Sequence, residues 1–192
     1  DAFVQAAQLQ RFVLVGHGMG GAIAGVYASE HSEHVAELAL IDATGLKAKP
    51  SAFDRAVAAG QHPFVFDDRA GYARAAALMF AKPQELPGRF IDALVKRNQH
   101  NRSFIENTFK ALQQPAQTLA VQQLLGQLTM PVLGLWCRGD QVVDISALDS
   151  LRNGLSAASA ISSSTITGCN HMPMLEEPEE TTQILTGFAL SH

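Results

Sequence analysis

The sequence predicts an α/β protein with a mostly parallel sheet, because short apolar runs alternate with helical stretches along it. Continuous apolar runs at 12–15 and 38–41 are typical of strands that are buried on both faces. A glycine-rich turn and a helix over 22–29 connect them, and this strand–helix–strand order favours parallel strands. After Pro131 the pattern returns, with strands predicted at 132–136 and 163–167 and helices at 146–155 and from Pro178 onward.

Residues 45–128 have a different character, since apolar residues there recur at helical spacing and no strand-like run is present. Amphipathic stretches cover 70–81 and the regions around Phe90 and Phe109. A segment of this length is too long for a loop. We therefore expect a core formed by 1–44 and 129–192, into which 45–128 is inserted as a helical cap.

Composition narrows the classes of partner. The 192 residues are 47% hydrophobic and carry a net charge of -4, which suits one buried core and argues against a nucleic-acid partner. No apolar run is long enough to span a bilayer, so we expect no transmembrane segment in this chain. The compartment is not predicted. Residues 1–10 resemble the end of a helix that a strand follows at once, which suggests a processed or excised fragment.

Two cysteines, Cys137 and Cys169, are too few for the dense framework of a disulfide-stapled secreted domain, and they lack metal-ligand spacing. The expectation is that they are small buried hydrophobic residues, with a disulfide as the minor alternative. No metal or cofactor is predicted.

The turn after the first strand has two incompatible interpretations. Gly16, Gly18 and Gly21 form G-x-G-x-x-G, the dinucleotide-binding pattern, and Asp42 after the next strand stands where an acidic residue would hold ribose hydroxyls. With serine in place of Gly18, residues 16–20 would form G-x-S-x-G, the nucleophile elbow of a serine hydrolase. The first interpretation predicts an NAD-binding oxidoreductase, and the second predicts an esterase without its nucleophile.

Later residues favour the hydrolase interpretation. A catalytic serine needs a histidine to take its proton and a carboxylate to orient that histidine, and each follows the end of a later strand in the order nucleophile, acid, histidine. Position 18, Asp140 and His171 have this order and these places. The backbone amide of Met19 would supply half of an oxyanion hole. Asp144 competes with Asp140 as the acid, but it is also placed to cap the next helix.

The motifs around these residues resemble the α/β-hydrolase family, and within it the monoacylglycerol lipase and esterase branch that includes the ABHD6-like lipases. Residues 15–21 resemble the nucleophile elbow with one residue changed, 131–143 the acid-bearing strand and turn, and 168–178 the histidine loop and the start of the final helix. The resemblance covers the whole chain. Two features depart from the family pattern. Gly18 stands in place of the serine, and the family's N-terminal strands have no counterpart before Asp1, so a second chain is a candidate source of them.

The resemblance implies a carboxylic-ester hydrolase of the serine type that acts on lipophilic acyl esters and needs no cofactor, inactivated in this chain by Gly18. Because Asp140 and His171 are retained, an introduced change is favoured over a natural non-catalytic binding relative. Six large apolar residues of the predicted cap could contact an acyl chain, or could equally pack within the cap: Phe64, Phe66, Met79, Phe80, Phe90 and Phe104.

Overall fold

The computed structural model describes residues 1–191 and contains a four-stranded, fully parallel sheet. The strands are β1 (Phe12–His17), β2 (Val35–Ile41), β3 (Val132–Cys137) and β4 (Ile161–Ile166), and they lie side by side in chain order. Each predicted strand is present, which confirms the α/β class. β1 continues past the apolar run through Gly16 to His17, and β4 begins two residues earlier than the sequence suggests.

Helices connect the strands and cover the sheet. They are α1 (Ala2–Ala6), α2 (Met19–Glu30), α3 (Ala52–Ala58), α4 (Arg69–Met79), α5 (Gly88–His100), α6 (Arg102–Leu112), α7 (Pro115–Thr118), α8 (Ala120–Leu124), α9 (Ser146–Gly154), α10 (Pro173–Glu176) and α11 (Pro178–Ala189). Four short helices are not predicted from the sequence, because their four to seven residues are too few to establish a helical period: α3, α7, α8 and α10. Among residues 1–191, no helix combines the length and apolar character that crossing a membrane requires.

The two faces of the sheet pack against different helices. Leu38 and Leu40 of β2 belong to the larger core, together with residues of α2, α8 and α9. The alternate residues of the same strand, Ala39 and Ile41, point to the opposite face and pack with side chains of α11. This alternation follows from the two-residue period of a strand and explains why β2 has an uninterrupted apolar sequence.

Between β2 and β3, the regular structure within the described residues is helical. Both ends of this segment reach the main core, since Leu46, Val121, Leu125 and Leu128 are buried with the residues of the sheet and α2. The division into a core and a cap over 45–128 stays a prediction.

The expectation of two free buried cysteines was wrong, because Cys137 and Cys169 form a disulfide. Both residues are buried, and their Cα atoms lie 5.5 Å apart, within the usual range for a bridge. The pairing was hidden from the sequence because parallel strands β3 and β4 bring together residues that are 32 positions apart. The bridge joins the end of β3 to the loop after β4.

Candidate active site

Gly18 forms a sharp turn between β1 and α2. Its backbone has φ 53° and ψ -122°, a conformation that residues with a side chain rarely adopt. Its amide donates to the Ile41 carbonyl (3.0 Å), and its own carbonyl accepts from the Thr44 amide (3.1 Å). These hydrogen bonds connect the turn to the end of β2. They hold position 18 in a conformation that is strained for a residue with a side chain.

Close packing requires glycine at two of the neighbouring positions. A Cβ on Gly16 would lie 2.4 Å from the Gly20 carbonyl oxygen, and one on Gly21 would lie 2.5 Å from the Ala43 Cβ. Gly20, in contrast, faces open space. Gly16 and Gly21 thus allow α2 to approach the sheet closely, a requirement that exists whatever the site binds.

Asp140 and His171 come together as a buried pair. His171 Nδ1 lies 3.0 Å from Asp140 Oδ2. The other oxygen, Asp140 Oδ1, accepts hydrogen bonds from the amides of Val142 (2.7 Å) and Val143 (3.0 Å). The hydrogen bonds from the two amides fix the plane of the carboxylate. The carboxylate in turn orients the imidazole, as in a catalytic acid–histidine pair.

The other imidazole nitrogen faces position 18. A Cβ built on Gly18 would lie 3.2 Å from His171 Nε2. A hydroxyl on that carbon would therefore be within hydrogen-bonding range of the imidazole. Met19 begins α2, where the first amides have no acceptor within the helix and are free to bind a developing negative charge.

Contacts from distant parts of the chain hold the histidine loop. The His171 amide donates to the Met79 carbonyl at the end of α4 (2.9 Å), and the Gln141 amide donates to Asn170 Oδ1 (2.6 Å). The disulfide between Cys137 and Cys169 adds a covalent link between the acid-bearing and histidine-bearing loops. These partners were missed at the sequence level, because a backbone acceptor such as the Met79 carbonyl has no sequence signature.

Asp144, the competing candidate for the acid, forms a different hydrogen bond. Its Oδ1 accepts from the Ser146 amide (2.9 Å) at the start of α9. Asp144 lies one residue before the N-cap of α9, which is Ile145, so it is not the cap that the sequence suggested. The structure brings Asp140 to His171 instead.

His17 and Asp42 complete the polar cluster. His17 Nε2–H donates to the His171 carbonyl oxygen (2.7 Å), and the two rings are 4.7 Å apart. Burial and the neighbouring His171 lower the pKa of His17. It is therefore a neutral hydrogen-bond donor that supports the loop, as expected of a packed neighbour.

Potential metal ligands are present in this cluster, since nitrogens of His17 and His171 and an oxygen of Asp42 lie within 4.8 Å of one another. Hydrogen bonds already occupy one nitrogen of each histidine, His17 Nε2 and His171 Nδ1.

The dinucleotide interpretation fails at Asp42. Its side chain is fully buried, and Oδ1 accepts from the Cys137 amide (2.9 Å), so it cannot reach ribose hydroxyls. The position of Asp42 after β2 resembled that of a ribose-binding residue, but acidic residues also occur at strand ends for structural reasons.

A cavity of about 1220 Å³ borders the cluster, and His171 and Met19 are among the residues that line it. Its wall is mostly apolar and includes Phe53, Phe64 and Phe109, whose rings pack on one another. Space lined in this way suits a lipophilic ligand with one polar group near His171.

The six apolar residues proposed for ligand contact separate in the structure. Phe64 and Phe104 line the cavity. Phe66 instead packs on Tyr72, and Phe90 is half-exposed on α5. Met79 and Phe80 lie at the end of α4 and do not line the cavity. Phe53 and Phe109 also contribute to the wall, although nothing in the sequence distinguishes them from the other phenylalanines.

A model of the alpha/beta hydrolase fold matches residues 1–178. The chain belongs to this family. Curated relatives of this α/β hydrolase include monoacylglycerol lipase abhd6-B of Xenopus laevis, 26% identical over 98% of this chain and 58% of the relative. Monoacylglycerol lipase ABHD6 of Homo sapiens is 23% identical, with the same two coverages.

Solved structures agree with the family. A membrane phospholipase A, described as a bacterial virulence factor, superposes with a TM-score of 0.87 and 30% identity over 97% of this chain and 59% of that chain. The 2-hydroxy-6-oxo-6-phenylhexa-2,4-dienoate hydrolase of Rhodococcus sp. strain RHA1 superposes with a TM-score of 0.80 and 19% identity, over 98% of this chain and 67% of that chain. This is a likeness of fold. This α/β hydrolase thus spans less than two thirds of the curated relatives' length.

Proposed function

We propose that the site belongs to a serine-type carboxylic-ester hydrolase acting on lipophilic acyl esters, in which Gly18 occupies the position of the nucleophile. The observation that carries this proposal is the alignment of position 18, His171 and Asp140. A Cβ built at position 18 would lie 3.2 Å from His171 Nε2, and His171 Nδ1 lies 3.0 Å from the Asp140 carboxylate. Glycine has no atom that can attack an ester, so this chain is proposed to be inactive as it stands.

In the serine-bearing form, the hydroxyl at position 18 attacks the ester carbonyl while His171 Nε2 takes its proton. Asp140 holds the imidazole in the required tautomer and stabilises its positive charge, and the Met19 amide binds the oxyanion. His171 then protonates the departing alcohol. Water attacks the acyl intermediate with His171 again as the base, which releases the carboxylic acid and restores the hydroxyl.

The substrate class rests on the cavity. Its apolar wall suits an acyl chain. The helical segment 45–128 contributes Phe53, Phe64 and Phe109 to that wall, while Ala22 and Ile23 come from α2. We infer that 45–128 acts as a cap over the acyl chain. The names of the curated relatives, monoacylglycerol lipases, agree with such a substrate.

A second candidate is a non-catalytic binding protein, because the cavity and the buried pair remain while the nucleophile is lacking. Such a protein would bind a lipophilic ligand and stay inert when serine is introduced. The two candidates therefore differ in one measurable outcome.

The test is Gly18→Ser in the full-length protein, assayed with p-nitrophenyl esters of short and long acyl chains. We expect hydrolysis to appear and to favour longer acyl chains, since these bury more apolar surface. Within that variant, Ile23→Trp narrows the cavity and should weaken the use of long esters. Leu94→Trp, on α5 and away from the cavity, is the matched control. Absence of hydrolysis with every ester would overturn the hydrolase proposal, and indifference to acyl length would overturn the substrate class.

A further inference from the structure

Asp42 is a buried carboxyl group that the proposed mechanism does not use. It directly follows β2, with its backbone at φ 45°, a left-handed conformation that is unusual for a residue with a side chain. Its amide donates to the Leu135 carbonyl (2.9 Å), and its side chain is inaccessible to solvent. Strain of this kind persists only where surrounding contacts enforce it.

The side chain is turned toward the catalytic pair. Asp42 Oδ1 accepts from the Cys137 amide (2.9 Å), while Oδ2 is buried and accepts no hydrogen bond. The carboxyl group lies within hydrogen-bonding reach of the Asp140 carboxyl group and within 4.8 Å of a ring nitrogen of His171. Asp42 thus adjoins both the proposed acid and the histidine at a position closed to solvent.

Two buried carboxyl groups in such contact cannot both be ionised, because like charges in a poorly solvated site repel strongly. The proton belongs on the group whose charged form has fewer donors. Asp140 accepts hydrogen bonds from the Val142 and Val143 amides and from His171 Nδ1. Asp42 accepts one only, from the Cys137 amide. Asp42 is therefore the group that holds the proton.

We propose that Asp42 is a positioning residue, whose protonated carboxyl group donates a hydrogen bond to the Asp140 carboxylate and holds that carboxylate against His171. A neutral donor can do this without adding a second negative charge to the pair. The inference rests on the proposed function for the catalytic roles of Asp140 and His171, but the proton on Asp42 can be measured without any activity.

The electrostatics around Asp42 agree with this assignment. Burial, followed by the charge of Asp140, raises the pKa of Asp42 to about 9. The groups that face it are Asp140 after β3, His171 after β4 and His17 on β1, and Glu176 on α10 has the smallest effect on it. Both carboxylates raise the pKa of Asp42, and His17 is neutral.

The first test is the infrared difference spectrum between the protein as it stands and Asp42→Asn. We expect a band of a protonated carboxylic acid at pH 7 that disappears as the pH is raised through about 9. A carboxylate band at pH 7 in its place would overturn the proposal. Because the chain retains Gly18, this result does not depend on hydrolysis.

The second test uses the Gly18→Ser background. Asp42→Asn keeps a donor and should retain kcat within a few-fold at neutral pH, whereas Asp42→Leu should lower kcat about tenfold with little change in KM. The pH profile should contain an inflection near 9 that Asp42→Asn lacks. Equal kcat values and identical profiles in all three proteins would contradict the positioning role. If Gly18→Ser itself is inactive, the proposed function fails while the infrared result still decides the protonation of Asp42.

Discussion

In the Gly18→Ser protein, replacement of His171 by alanine should lower kcat by about 10⁴-fold or more, to the level of the unmodified chain. Losses of this size are typical where a nucleophile and its base act as one unit. His171 is the group placed to accept the proton, since Nε2 faces position 18 and Nδ1 is oriented by Asp140. Steady-state hydrolysis of a p-nitrophenyl ester measures the effect.

The control is His100→Ala in the same background, since this histidine lies exposed at the end of α5. It should leave kcat unchanged. Asp140→Asn should also lower kcat strongly, because an amide in place of the carboxylate favours the wrong tautomer of the imidazole. A His171→Ala variant that retained kcat within tenfold would mean that another group is the base.

Asp42→Asn should change the pH dependence of stability more than any other substitution considered. The pKa of Asp42 is about 9 in the folded protein against an ordinary value of 3.8, so the folded state holds a proton that the unfolded state releases. The stability contribution of this group is therefore complete below pH 3.8 and is lost as the pH rises toward 9. Asparagine does not titrate, so its variant lacks this loss.

Between pH 5 and pH 8, the free energy of unfolding of Asp42→Asn should rise relative to that of the parent by about 4 kcal/mol, from ~1.4 kcal/mol per pH unit over three units. Urea unfolding of both proteins at the two pH values measures the difference, and the contributions of titrating groups that do not interact with Asp42 cancel in the comparison. A difference that does not vary with pH would show that Asp42 is already ionised in the folded protein.

The elements that could be predicted from sequence are those with local signatures. Apolar runs revealed the strands, and the places of Asp140 and His171 after two of them revealed the acid–histidine pair, because parallel strands end at the same edge of a sheet. The role of Asp42 could not be deduced in the same way. Its strand-end position fitted ribose binding equally well, and only its burial and its contact with Asp140 distinguish the two.

Other features depended on contacts between distant residues. The disulfide joins cysteines 32 positions apart, and the bond from the His171 amide to the Met79 carbonyl connects two different parts of the chain. The glycines show the same limit. Gly16 and Gly21 are required by close backbone packing, whereas Gly20 between them faces open space, although all three look alike in the motif.

Covalent labelling of the Gly18→Ser protein with a fluorophosphonate tests the central claim most directly, because this reagent reacts with a serine that an adjacent base has activated. The geometry predicts one adduct per chain, located by peptide mass mapping at position 18, and none when His171→Ala is added. No adduct, or an adduct at another residue, would contradict the assignment of this turn as a nucleophile site.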